Sequence, residues 1–313
     1  MQSGYVIMPD VSSQRLASIL LMKDSGANFS TTRGASETNA PRDGYSYLID
    51  AMNQITNPLL LRDLAGGALI MLPSSIEDFR DPDLAKMYLG QIAEDQKRYP
   101  DALGWYRQVG SGEQFLTSRI RIAQVTAKQG DLNGARETLH GLKSENTREQ
   151  VQLVVAESAI LRDANRNEEA YGTLEKAIGQ YPDQPDLHYD LAMIAEKLDR
   201  VDVMESNLRK VIALRPEHAH AYNALGYSLA DRSIRLAEAR DLIERAHKLA
   251  PDDFFIMDSV GWVMYRQGDY EGALKFLQRA YNGRPDAEIA AHLGEVLWVM
   301  GRRDEAEKLW RDA

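Results

Sequence analysis

The chain has 313 residues, 44% of them hydrophobic and 27% charged, with a formal net charge of −10 and no cysteine. Such a composition belongs to a soluble, folded protein, and the acidic balance disfavours nucleic acid, whose phosphates require a basic stripe. The lack of cysteine removes disulfides, thiolate metal sites, cysteine nucleophiles and a lipidated N-terminal cysteine. No stretch nears the ~18 uninterrupted apolar residues that span a bilayer.

Residues 1–80 follow no repeat. The opening MQSGYVIMPDVSSQRLASILLMKDSG lacks a basic n-region before an apolar core, so no export signal is expected in it. Ser12 to Lys23 can form a short helix with Leu16, Ile19, Leu20 and Met22 on one side. Asp24 to Asp43, rich in Ser, Thr, Asn and Gly, reads as a loop. Tyr45 to Ile55 reads as another helix, broken by Asn57-Pro58. The segment fits a degenerate cap, a separate small module or a foreign start.

From Asp81 onward a two-helix pattern repeats. Seven units begin near Asp83, Leu116, Val151, Pro185, Ala219, Asp252 and Ala287. In each, a small or apolar residue stands at one fixed place of the second helix: Ala102, Ala135, Ala170, Met204, Ala239, Ala273 and Ala306, spaced 33 to 35 residues apart by subtraction of their numbers. Close crossing of two helices explains the alanines, since small side chains let backbones approach while neighbouring Leu, Ile, Tyr or Trp fill the groove. Pro182, Pro216, Pro251 and Pro285 end second helices. The fifth turn, DRSIRLAEA, carries one extra residue. One hairpin alone would leave an apolar face in water, so the units must stack, predicting an all-α, right-handed solenoid over residues 81–313.

The period and the pattern of small residue, Ala, Ala and Pro resemble the tetratricopeptide repeat (TPR). In that family the first helix of each unit lines a concave groove, with its second, fifth, ninth, twelfth and thirteenth places directed inward. Carried onto this chain, the resemblance implies a peptide-binding surface of His220, Asn223, Tyr227, Phe255, Asp258, Trp262, Tyr265, Arg266, Glu295 and Trp298, with Tyr189 from an earlier unit. Earlier units offer milder residues such as Gln91, Gln124, Val155 and Met193. Tyr, Trp and Arg dominate binding energy at interfaces, and an Asn can bond a peptide main chain. Against this stands the plain reading that Trp262 and Trp298 pad the helix packing. The Lys and Asn of a carboxylate clamp are missing: the fifth and ninth places hold Asn223 and Tyr227, then Asp258 and Trp262.

A finer resemblance rests on NALGYSLADRSIRLAEARDLIERAHKLAPDD and on the run from Asp258 to Trp310. Both are similar to the C-terminal repeats of proteobacterial TPR lipoproteins that act as adaptors of a carboxyl-terminal processing protease. The resemblance implies a periplasmic scaffold gathering that protease and its cell-wall hydrolase substrates, although no signal or lipidated cysteine like theirs is read in this sequence; apart from the resemblance a cytoplasmic protein is expected. The alternative is a self-assembling module using the last hairpin, whose Leu309 and Trp310 should be partly exposed and could meet a partner, a second copy or further sequence.

Catalytic motifs are missing. There is no HExxH, phosphate loop, G-x-S-x-G or dinucleotide fingerprint. His218 and His220 are close in sequence but read as solvated histidines at a junction rather than metal ligands. A hydrolase hidden in residues 1–80 would have neither His nor Cys to activate a nucleophile. No cofactor, no metal and no enzymatic activity are expected.

Overall fold

The computed structural model describes residues 82–313 as fourteen α-helices. The readings for residues 1–80 lie outside the described residues. In order the helices are α1 (Pro82–Asp95), α2 (Tyr99–Arg107), α3 (Phe115–Lys128), α4 (Leu132–His140), α5 (Thr147–Asp163), α6 (Asn167–Gln180) and α7 (Pro185–Lys197). They continue as α8 (Val201–Leu214), α9 (Ala219–Asp231), α10 (Leu236–Leu249), α11 (Phe254–Arg266), α12 (Tyr270–Gly283), α13 (Ala287–Val299) and α14 (Arg303–Asp312). Each odd-numbered helix pairs with its successor, giving seven helical hairpins and an all-α repeat solenoid. The hairpins fall into two compact units, one ending at Lys143 and one spanning Ser144–Ala313.

One backbone device makes every hairpin. Lys97, Gly130, Asn165, Asp199, Ser233, Gly268 and Gly301 each take a positive φ between the two helices. The next residue's N–H then donates to a carbonyl five positions back, as from Arg98 to Ala93, Arg200 to Ala195 and Asp269 to Met264. These bonds satisfy carbonyls orphaned at the end of the first helix and reverse the chain within three residues. In the fifth hairpin Arg235, the extra residue, also has a positive φ of 47°. Second helices then start on caps such as Asp131 and Asp269, whose carboxylates accept from Gly134 and Gly272 N–H.

The residues spaced along the second helices are the centre of each hairpin. Ala102, Ala135, Ala170, Met204, Ala239, Ala273 and Ala306 are all fully buried. Opposite several of them the first helix has glycine. A Cβ on Gly226 would lie 2.9 Å from the Ala239 carbonyl oxygen, and one on Gly261 would lie 3.1 Å from that of Ala273. In the fourth hairpin Ala192 takes the first-helix place, and Met204 is buried beside it in one core with Leu208, Leu225 and Ile243.

In the first unit the core gathers Ala93, Ala102, Leu103, Tyr106, Ile122 and Val125. Tyr106 Oη donates to Glu94 Oε2 at 3.0 Å, and Lys128 Nζ bonds Glu94 Oε1 at 2.8 Å. Burial is what pushes the Tyr106 phenol above its ordinary range, with the Glu94 charge adding to it, so the hydroxyl remains a donor. In the second unit, successive hairpins bring their first helices side by side, and this row of first helices carries the candidate site.

Candidate peptide-binding pocket

A pocket of about 280 Å³ opens in the second unit, and every residue lining it comes from a first helix. Tyr189, Met193 and Glu196 come from α7, and His220, Asn223, Ala224 and Tyr227 from α9. Phe255, Asp258 and Ser259 come from α11, and Glu288 from α13. Caps fix the registers that aim these side chains: His218 Nδ1 accepts from Ala221 N–H at the start of α9, and Asp253 Oδ1 accepts from Phe255 and Ile256 N–H at the start of α11. His218 is thus a half-buried cap whose ring lies 4.9 Å from that of Tyr189, not a freely solvated loop histidine. His220, one place into the helix, is exposed, with Nε2 3.8 Å from Asp253 Oδ2.

A hydrogen-bonded chain braces the pocket wall. Tyr227 Oη donates to Glu288 Oε1 at 3.2 Å and lies 3.3 Å from His292 Nε2. His292 Nδ1 meets Asp258 Oδ2 at 2.8 Å. Trp262 stacks on His292 with centroids 4.1 Å apart, and Tyr265 stacks on Trp262 at 5.1 Å. Burial, and then the charge of Glu288, hold the Tyr227 phenol well above its usual value, so it donates at any physiological pH. Burial likewise raises Asp258, against the opposing bond from His292. For His292 burial works against the charged ring, but the hydrogen bond and charge of Asp258 outweigh it and hold the imidazole above its ordinary 6.5.

This network fixes a pH dependence. Groups whose pKa is raised by folding contribute stability that is present below the unfolded value and lost as pH rises through the folded one. Ser144–Ala313 should therefore unfold at a lower temperature above the His292 titration than at pH 6. An NMR titration should place the His292 midpoint above 6.5, and Asp258→Asn should move it down and flatten the pH dependence of the unfolding midpoint. A His292 midpoint unchanged by Asp258→Asn would show that the carboxylate does not hold the proton there.

The sequence-derived contact residues divide into two sets. Tyr189, His220, Asn223, Tyr227, Phe255 and Asp258 line the one pocket, and Asn223 Oδ1 is buried there without a hydrogen-bond partner. The other five, Trp262, Tyr265, Arg266, Glu295 and Trp298, do not line it. Trp262 is 4% exposed and buttresses His292 from behind, its Nε1 also unpartnered. Tyr265 donates to Glu295 Oε1 at 2.9 Å; burial and then that bond push its phenol up to about 12. Arg266 bonds Ser233 Oγ and lies 3.8 Å from Asp231 Oδ1, with its guanidinium 5.4 Å from the centre of the Trp262 ring. Trp298 belongs to the last hairpin, where its ring lies 5.9 Å from that of Trp310 and 5.0 Å from the Arg303 guanidinium.

Glu196, Ala224, Ser259 and Glu288 were missed as lining residues. Glu288 stands at the second place of its helix and Glu196 at the twelfth, so the placement rule that picks Phe255 and Tyr265 would have found both. His292, at the sixth place, carries no such signal, because its role arises from contact with Asp258 across two hairpins. Among the described residues there is no group of three or more His, Cys, Asp or Glu that could hold a metal ion, and no helix long and apolar enough to cross a membrane.

A family model described as tetratricopeptide repeat matches residues 75–113 and 205–254, and a second of the same description matches 185–218. A TPR repeat-containing protein of Pseudomonas aeruginosa is 44% identical over 213 residues, 68% of this chain and 36% of that protein. The bacteriophage adsorption protein A of Escherichia coli K12 is 35% identical over 78 residues, 25% of this chain and 8% of that one. The chain thus spans little more than a third of the first relative and under a tenth of the second. Among solved structures, a tetratricopeptide repeat protein from Parabacteroides merdae superposes with TM-score 0.51 at 15% identity, covering 63% of this chain and 78% of that one.

Proposed function

We infer, from the premise that this chain belongs to the tetratricopeptide-repeat proteins, that it is a non-catalytic scaffold which binds an extended segment of a partner protein along the first helices of its second unit. The observation that carries this reading is the pocket itself, in which six residues selected by the repeat's placement rule converge from three helices. Tyr189, Tyr227 and Phe255 supply apolar rings, and Asn223 supplies an amide whose oxygen has no partner. Such a surface recognises side chains and main chain without reacting with them.

The partner we propose is a carboxyl-terminal processing protease, brought together with its cell-wall hydrolase substrates in the periplasm. The similarity of residues 223–253 and 258–310 to the adaptors of such proteases supports this. An affinity capture from bacterial envelope extract, read by mass spectrometry, should recover the protease on the wild-type chain and lose it on Tyr227→Ala. Equal recovery on both would move the binding surface elsewhere, and recovery of no protease would refute the adaptor role.

A second reading is favoured by the last hairpin, where Trp298, Val299 and Trp310 are 38%, 47% and 43% exposed. These side chains would pair two copies of the chain. Sedimentation should then show a concentration-dependent dimer abolished by Trp310→Ser, whereas a monomer at every concentration would dismiss this reading.

A further inference from the structure

The pocket's lining is chemically one-sided. It holds three carboxylates, on Glu196, Asp258 and Glu288, and no lysine or arginine. Asp258 is matched by His292 at 2.8 Å, but among the described residues no cation lies within salt-bridge distance of Glu196 or Glu288. Arg232, whose charge acts on Glu196, is engaged elsewhere, its Nη1 donating to Ser228 Oγ at 2.6 Å and its Nη2 lying 3.8 Å from Asp199, and Arg284 sits 4.6 Å over the Phe255 ring. Half-buried Glu196 is raised chiefly by desolvation, against the pull of Arg232, so its carboxylate would gain from an incoming cation. Tyr189, Tyr227 and Phe255 share the pocket, and aromatic walls attract cations as well as apolar stems. Asn223 also lines the pocket, its amide Oδ1 buried without a hydrogen-bond partner. At about 280 Å³ the space suits one long side chain rather than a cofactor.

We propose that this pocket receives a lysine or arginine side chain of the bound segment, its stem against Tyr189, Tyr227 and Phe255 and its charged head toward Glu196 and Glu288. The inference rests on the groove reading above and adds the chemistry of the partner: a segment with an isolated basic residue at the position that docks here. Arg284 on the face of Phe255 shows that this ring already accepts a guanidinium.

The test uses the full chain and four blocked heptapeptides, Gly-Ser-Gly-X-Gly-Ser-Gly, with X as Arg, Lys, Gln or Glu. Binding is read from NMR shifts of Ala224 and of the Asn223 side-chain amide. The Arg and Lys peptides should bind at least about tenfold more tightly than the Gln peptide, as charge-assisted contacts predict, and should weaken as salt is raised. The double variant Glu196→Gln/Glu288→Gln keeps side-chain size, and its amide oxygen at position 288 can still accept from Tyr227. In it the preference should shrink to under about threefold. If all four peptides move these signals equally, or the Glu peptide is preferred, the basic side chain is wrong while the groove survives. If no peptide moves them, both readings fall.

Discussion

Leu277→Ala is expected to destabilise Ser144–Ala313 by about 2–5 kcal/mol, because the side chain is fully buried between its own hairpin and the next. Gly261→Ala should cost about 1–3 kcal/mol for the opposite reason, overfilling. Its Cβ would fall 2.6 Å from Leu277 Cγ and 3.1 Å from the Ala273 carbonyl oxygen. The two errors partly compensate, since truncating Leu277 removes the atoms that the new methyl strikes. The double variant should therefore be more stable than the sum of the singles by about 1 kcal/mol, within the range for touching residues. Gly172→Ala is the control: a Cβ there meets nothing within 4 Å, so the higher helix propensity of alanine should raise stability by about 0.5–1 kcal/mol. Urea denaturation of the four variants measures all of this. Strictly additive losses would mean that Gly261 and Leu277 do not face each other.

The second large effect concerns binding. Tyr227→Ala should weaken the captured partner by at least about 2 kcal/mol, or roughly thirtyfold, as loss of a central aromatic contact does. The residue touches α13 through Glu288 and His292, so the variant must first be shown to be folded by circular dichroism. Tyr227→Phe, which keeps the ring and gives up the hydroxyl, separates packing from the hydrogen bond and should lose less. Trp298→Ala lies outside the pocket and should change affinity by less than about threefold. A thirtyfold loss at Trp298 with none at Tyr227 would transfer the interface to the last hairpin.

The fold was legible because it is periodic. Residues 33 to 35 apart do the same job seven times, and small side chains at helix crossings leave a trace that survives Met204 in place of alanine. The turns were half visible: Gly268 announces a positive φ, whereas Lys97 and Ser233 adopt one under the pull of the hairpin and give no hint in their side chains. For the site, the placement rule brought together six residues but treated the ninth place of every helix alike. Tyr227 there reaches the pocket, whereas Trp262 is covered by Tyr265 and His292. That difference arises from which neighbour stacks on which ring, and a single helix's sequence cannot express it. The Asp258–His292 pair is invisible for the same reason, since its members are 34 residues apart and neither is unusual alone.

Site-specific photocrosslinking to the captured partner addresses the central claim most directly. With p-benzoylphenylalanine replacing Ala224 in the pocket wall, or Trp310 in the last hairpin, the crosslinked product should form from position 224 and not from 310. Crosslinking from 310 alone, with an intact complex and no product from 224, would contradict binding on the first helices.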